Sequence, residues 1–177
     1  MRAVVRGWLG FVALGAGLLH LALVIGSPLL IAIPLIAIGA AEFAWGVFAF
    51  TAPALPLPRV AGVAALVPIL GWVLLLAIAG TGGGAIGGIR VLPLLVASLL
   101  DLAIAIGITW MLRRDPARPE APLRPGRYLL ALGAGALVVA ALTTPALAAT
   151  EAGDVALPHG TVDEPGDIDL PGGHGGH

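Results

Sequence analysis

Five long apolar segments constrain this chain more than any other feature of its sequence. They cover residues 7–26, 29–50, 60–80, 91–112 and 128–149. A helix that crosses the hydrocarbon core of a bilayer needs roughly 20 apolar residues, and each segment approaches that length. Because backbone polar groups find no water in lipid, spans of this length are expected to be helical. The sequence therefore predicts an all-α integral membrane protein with five transmembrane helices.

The composition favours the same surroundings. Only 11% of the residues are charged and 59% are hydrophobic, with a mean hydropathy of +1.04, whereas soluble domains carry about 25% charged residues. The chain has no cysteine, which excludes disulfides, thiolate metal sites and cysteine nucleophiles. We therefore expect the lipid bilayer, and a membrane protein complex within it, as partners. Nucleic acid is not expected as a partner.

The distribution of arginine predicts how the chain is threaded through the membrane. Arg2 and Arg6 precede the first span, Arg59 precedes the third, and residues 113–127 hold five more arginines between the fourth and fifth spans. Short loops rich in basic residues stay in the cytoplasm. We therefore expect the inner (cell) membrane of a bacterial-type cell, with the N-terminus cytoplasmic and the C-terminus outside. Arg90 is the exception to this pattern.

Four regions follow from these spans and loops. Residues 1–112 are predicted as a four-helix membrane region, and residues 113–127 as a cytoplasmic loop rich in Arg and Pro. Residues 128–149 form the fifth span, and residues 150–177 an exterior tail. The tail is acidic, rich in Gly and Pro, and too polar to bury a core, so we expect it to be disordered.

Two carboxylates inside spans follow the same local pattern. Pro34 precedes Glu42 by eight residues in the second span, and Pro93 precedes Asp101 by eight in the fourth. The pattern suggests two tandem two-helix hairpins followed by a fifth helix, although frequent proline and leucine allow such an alignment by chance. A charged carboxylate in mid-span costs on the order of 3 kcal/mol on insertion scales, so such residues are candidate functional sites.

Glu42 and Asp101 are expected at similar depth in the membrane. Asp101 lies near the centre of its span and Glu42 about 4 Å to the inner side, at 1.5 Å per residue. If the second and fourth spans touch, the two acids share one buried polar site, which relays protons or cations or anchors a ligand. In the alternative interpretation, each acid hydrogen-bonds a neighbouring helix and holds the bundle together.

His20 is a third candidate for an intramembrane polar site. It lies about 5 Å to the outer side of the middle of the first span, by the same rise. Histidine can ligate a metal or relay a proton. The alternative is a hydrogen bond to a neighbouring helix, which is the commoner role of a lone membrane histidine.

The tail offers a weak metal site. His159, His174 and His177 accompany six carboxylates on this acidic segment, and imidazole and carboxylate groups bind Cu(II) and Zn(II). Their spacing is not diagnostic, and a solvated tail without metal is the alternative. Apart from copper or zinc at the tail, no cofactor is expected.

The fifth span also resembles an internal signal segment. A short basic stretch at 124–127 precedes an apolar run at 128–142, and the small residues Ala146 and Ala148 follow. This order is typical of a signal-peptidase site, and cleavage after Ala148 would release the tail. Alternatively, the helix ends in small residues and anchors the tail to the membrane.

The sequence leaves two functions open. The first is an accessory or structural membrane protein without catalysis, because no set of residues forms a recognisable catalytic motif. The second is a small transporter or a copper or zinc homeostasis component that uses Glu42, Asp101, His20 and the histidines of the tail. An enzyme is not expected.

Overall fold

The computed structural model describes residues 2–52, 54–82, 90–114 and 124–156, and all regular secondary structure in these ranges is helical. The helices are α1 Arg2–Ala22, α2 Leu29–Thr51, α3 Pro58–Ala64, α4 Leu66–Gly82, α5 Val91–Arg113, α6 Pro125–Ala148 and α7 Glu151–Asp154. The α3–α4 pair supplies one candidate span. Together with α1, α2, α5 and α6 it gives five helical segments long and apolar enough to cross a membrane. The predicted fold class is thereby confirmed.

The third span is broken, unlike the single segment predicted over residues 60–80. It consists of α3 and α4, which meet at Ala65. A proline ring clashes with the carbonyl four residues earlier and supplies no amide hydrogen. Pro68 therefore weakens the helix at Ala64, which is where α3 ends. Pro93 lies in the first turn of α5, where an amide has no intrahelical acceptor to lose.

The central helix of the bundle is α1, which packs on α2, α5 and α6. Half of its 18-residue apolar window is buried, against 11% of the corresponding window in the third span. Leu9, Ala13, Ala16 and Leu19 are buried along α1, and their spacing of three or four residues puts them on one helical face. This face packs in the main core together with α5 residues such as Leu100.

The contact between α1 and α2 depends on glycine. A Cβ atom added at Gly17 would lie 2.7 Å from the carbonyl oxygen of Gly39, and one added at Gly46 would lie 2.9 Å from the carbonyl oxygen of Gly10. Small residues of this kind let membrane helices approach closely. Since residue 10 lies against residue 46 and residue 17 against residue 39, the two helices are antiparallel.

Two hydrogen bonds tie α1 to other elements near its N-terminus. Arg6 Nη1 donates to the carbonyl oxygen of Ala52 at 3.0 Å, just after α2 ends. Trp8 Nε1 donates to the carbonyl oxygen of Ala131 in α6 at 2.8 Å. Arg6 thus gives a partner to a carbonyl group at the C-terminal end of α2. The indole N–H of Trp8 gains an acceptor that lipid would not supply.

Arg90 ties the opposite end of the bundle together. Its Nη1 atom donates to the carbonyl oxygen of Ala149 at 3.0 Å, and its Nη2 atom contacts the carboxylate of Asp154. The hydrogen bond with Asp154 raises the pKa of Arg90 above its ordinary value, so the guanidinium keeps its charge. The arginine that departs from the predicted distribution therefore contacts the residues that follow α6.

The start of the predicted tail is helical. Residues 151–154 form α7, although all of residues 150–177 were expected to be disordered. Thr150 caps this short helix, because its hydroxyl oxygen accepts a hydrogen bond from the Gly153 amide at 3.2 Å. Residues 157–177, with the candidate metal ligands His159, His174 and His177, lie outside the described residues.

A buried histidine–carboxylate cluster as the candidate functional site

Three helices each contribute one ionisable side chain to a single cluster. His20 comes from α1, Glu42 from α2 and Asp101 from α5, and one ligand atom of each lies within 4.8 Å of the other two. The side chains of His20 and Asp101 are fully buried, whereas that of Glu42 is 12% exposed. We call these three residues the histidine–carboxylate cluster.

The imidazole of His20 lies between the two carboxylates. Its Nδ1 atom is 2.7 Å from Glu42 Oε2, a hydrogen-bond distance. Its Nε2 atom is 3.8 Å from Asp101 Oδ2, which is beyond hydrogen-bond range. Each ring nitrogen of His20 therefore faces a different carboxylate, and only the contact with Glu42 is close enough for a direct hydrogen bond.

Several buried polar atoms of the cluster lack a hydrogen-bond partner among the residues that the structure describes. They are His20 Nε2, Glu42 Oε1 and both carboxylate oxygens of Asp101. A buried polar group without a partner costs roughly 1–3 kcal/mol, and more when it is charged. The packing of three helices against one another therefore does not satisfy the polar groups that they bring together.

The tautomer of His20 determines what faces Asp101. With Glu42 ionised, its Oε2 atom can only accept, and the 2.7 Å contact then requires the hydrogen of the imidazole to be on Nδ1. In a neutral imidazole the lone pair of Nε2 then points towards the Asp101 carboxylate. Two acceptors repel each other at 3.8 Å unless a positive charge lies between them. The arrangement is therefore suited to a shared proton or to a cation.

The register of α1 and α2 explains how His20 and Glu42 meet, although the depths estimated from the sequence separate them by about 9 Å. The glycine contacts place Gly17 beside Gly39 and Phe43, so the backbone of His20 is about one turn away from that of Glu42. Helical side chains tilt towards the N-terminus of their own helix. In antiparallel helices these two tilts converge, and the side chains meet.

The two acids reach one cluster without close packing of their helices on each other. The prediction made a shared site depend on contact between the second and fourth spans. In the structure α1 packs on both α2 and α5, and the His20 imidazole contacts both carboxylates. The sequence interpretation treated His20 separately. The glycines at positions 10, 17, 39 and 46 are the signal in the sequence that sets the register of His20 against Glu42.

The other candidate residues lie apart from the cluster. Ala146 is fully buried in α6, and Ala148 is the exposed last residue of that helix. A peptidase that cuts after Ala148 would have to unwind this turn, so cleavage stays a prediction. The indole N–H of Trp72, in α4, is also buried without a hydrogen-bond partner in the described part of the chain.

The fold and the cluster together define a small helical membrane protein with an intramembrane site of one imidazole and two carboxylates. Comparison of the chain with protein-family models, with curated proteins and with solved structures found no match. The geometry and chemistry of the cluster are therefore the basis for inferring function.

Proposed function

We propose that this protein is a membrane component of metal homeostasis that binds a divalent transition-metal cation such as Zn²⁺ at the histidine–carboxylate cluster. The observation that carries the proposal is the pair His20 Nε2 and Asp101 Oδ2, which lie 3.8 Å apart, both without a hydrogen-bond partner among the described residues. Zinc bonds to nitrogen and oxygen are each about 2.1 Å long. A zinc ion fits between these two atoms with a bent N–Zn–O angle.

Glu42 suits the role of a residue that orients the metal ligand. Metal-binding histidines usually donate their second ring N–H to a carboxylate, which fixes the tautomer and the orientation of the ring. The 2.7 Å contact between His20 Nδ1 and Glu42 Oε2 supplies this support. His20 Nε2 and the Asp101 carboxylate are then the direct ligands that the cluster supplies.

Charge and ligand type both favour a divalent cation of intermediate softness. With an ion bound, the ligands are deprotonated, and two ionised carboxylates beside a neutral imidazole then balance the charge of a divalent ion. Imidazole suits zinc, copper(II), iron and nickel, and carboxylates add affinity for these ions. The sequence contains no cysteine, and soft Cu(I) prefers thiolate or thioether ligands.

We further propose that the site serves transport of the ion across the cell membrane, without a chemical reaction. The arginine distribution supports a bacterial-type inner membrane, a cytoplasmic N-terminus and an exterior C-terminal tail. On this orientation, His159, His174 and His177 form a weak second site for copper or zinc outside the cell. An ion held by only two protein ligands would be released more readily than one held by the four of a structural zinc site.

A structural role is the second candidate function. The His20–Glu42 hydrogen bond joins α1 to α2. Asp101 of α5 lies 3.8 Å from the same imidazole. Interhelical hydrogen bonds in membrane proteins stabilise the fold by about 0.6 kcal/mol on average. An accessory protein that only needs a stable bundle would use the same three residues.

Uptake of radioactive zinc into proteoliposomes distinguishes the two functions. We expect saturable uptake by the wild type and loss of most of it in Asp101→Asn and Glu42→Gln. Gly71→Ala is the matched control, because an added Cβ at Gly71 meets nothing within 4 Å. If the two cluster variants fold and take up zinc as the wild type does, the transport proposal is wrong. If neither the wild type nor any variant takes up zinc, the structural role gains support.

A further inference from the structure

A cavity of about 310 Å³ lies beside the cluster, between α2 and the broken third span. Ala13 of α1 and Ile104 of α5 contribute to its lining, together with residues of α2, α3 and α4. α2 packs mainly on α1, whereas α3 packs on α5. The two walls therefore rest separately on the core and leave a cleft between them on the lipid side.

The lining of this cavity is apolar except at Glu42, the one ionisable residue among the described residues that line it. The indole N–H of Trp45 is already bonded to the carbonyl oxygen of Pro56 at 2.8 Å, so the ring offers mainly an apolar surface. Oε2 of Glu42 is hydrogen-bonded to Nδ1 of His20, and its Oε1 atom is buried without a partner among the described residues. Glu42 is also the partly exposed member of the cluster.

We infer that this cavity binds a lipophilic amine that enters from the lipid phase and places its ammonium group on Glu42. A volume of about 310 Å³ falls at the lower end of the roughly 300–1,000 Å³ typical of small-molecule sites. The apolar walls accept the body of the molecule. An ammonium beside the Glu42 carboxylate supplies a donor and a positive charge, and such charge-assisted hydrogen bonds are stronger than neutral ones.

The charge of Glu42 selects among head groups. A hydroxyl group donates a hydrogen bond but leaves the carboxylate charge uncompensated, and a carboxylate ligand adds a repulsive charge in an apolar site. The site therefore discriminates in the order amine, alcohol, acid. This inference goes beyond metal binding, because it uses the α2–α3 cleft and the part of Glu42 that lines it rather than the contact between His20 and Asp101.

Fluorescence of Trp45, which lines the cavity, reports on occupancy. The full-length protein in nanodiscs is titrated with para-bromobenzylamine, whose bromine quenches tryptophan on contact. The matching alcohol and acid, para-bromobenzyl alcohol and para-bromobenzoate, are titrated in parallel. We expect saturable quenching by the amine that is absent in Trp45→Phe. Binding of the alcohol should be roughly tenfold or more weaker, since its hydroxyl still donates a hydrogen bond to Glu42 but brings no positive charge.

Two variants test the site from different sides. Glu42→Gln removes the charge, and Ala64→Leu adds bulk to the cavity wall and leaves the cluster unchanged; each should weaken amine binding by about tenfold or more. Ala140→Leu, on an exposed position of α6, is the matched control and should bind as the wild type does. The inference is overturned if quenching does not saturate, if amine and alcohol bind equally, or if Ala64→Leu binds normally. Zinc binding by Ala64→Leu should be unchanged, which separates this test from the proposed metal site.

Discussion

The first and third spans differ in a way that runs against intuition from soluble proteins. The candidate span in α1 has a mean hydropathy of 1.5, the lowest of the five, and half of its apolar window is buried. The third span, Pro58–Ile78, has the highest value, 2.5, and only 11% of its window is buried. The least apolar span thus occupies the centre of the bundle, and the most apolar span lies at its lipid-facing edge.

The difference shows what assembles this bundle. Lipid tails are as apolar as leucine, so burying apolar side chains between membrane helices brings little gain over leaving them in lipid. Close backbone contact at Gly17 and Gly39 and the polar cluster at His20 give α1 interactions that lipid cannot supply. In the third span, large side chains such as Leu70 and Val73 are exposed and face lipid instead.

The largest effect is expected from adding bulk where α1 meets α2. Gly17→Leu forces a side chain against the backbone of Gly39, which an added Cβ already approaches to 2.7 Å, and should lower the free energy of unfolding by about 3 kcal/mol. Gly71→Leu in the third span is the control, with open space around its Cβ position. Denaturation in detergent measures both. Equal stability of the two variants would remove the distinction between the spans.

A smaller loss is expected from removing the imidazole of the cluster. Without added metal, His20→Leu should destabilise the bundle by about 1.5 kcal/mol, because the hydrogen bond to Glu42 is lost and the two acids remain together. Thr109→Val is the control, since the Thr109 hydroxyl donates to Ala105 within α5 itself. The same denaturation assay applies. A His20→Leu variant as stable as Thr109→Val would show that the polar contacts do not hold α1 in the centre.

Trp8→Phe should destabilise the fold by about 1 kcal/mol. The indole N–H that bonds to the Ala131 carbonyl at 2.8 Å is removed, while most of the ring remains. Leu130→Ala, at an exposed neighbouring position in α6, is the control. If both variants unfold at the same denaturant concentration, this hydrogen bond does not help fix α6 on α1.

The smallest effect on stability is expected at the break in the third span. Pro68→Ala restores an amide hydrogen and removes the clash with the Ala64 carbonyl, while the free energy of unfolding stays within about 0.5 kcal/mol because this span is mostly exposed. Hydrogen exchange should slow at the amides of residues 65–67 as α3 and α4 join. Pro93→Ala, in the first turn of α5, should leave exchange in that turn unchanged. Unaltered exchange in Pro68→Ala would assign the break to another cause.

The five spans could be predicted from the sequence because length and hydropathy are local properties. The break at Ala65 could also have been predicted, since Pro68 lies inside an apolar segment and a proline there clashes with the carbonyl four residues earlier. The order in which helices pack is different. Nothing local in α1 shows that it lies between α2 and α5, because such neighbours depend on contacts distant in the sequence.

The candidate site was only partly predictable for the same reason. Glu42 and Asp101 stand out as carboxylates in apolar spans, and their proximity was stated as a hypothesis that depended on helix contact. The link through His20 requires the register of α1 against α2 and the direction of both side chains. An estimate of depth from residue number includes neither of these, and it therefore does not predict that His20 contacts the two acids.

Zinc binding to the purified protein tests the central claim most directly. The reference protein should carry His159→Ala, His174→Ala and His177→Ala and no histidine tag, so that the tail does not contribute to binding. Calorimetry in nanodiscs should then show one Zn²⁺ per chain, with affinity reduced at least about tenfold in Asp101→Asn and in Glu42→Gln. Mg²⁺ should not compete at equal concentration. Zinc binding that is absent, or that is unchanged in both cluster variants, would contradict a metal site at His20, Glu42 and Asp101.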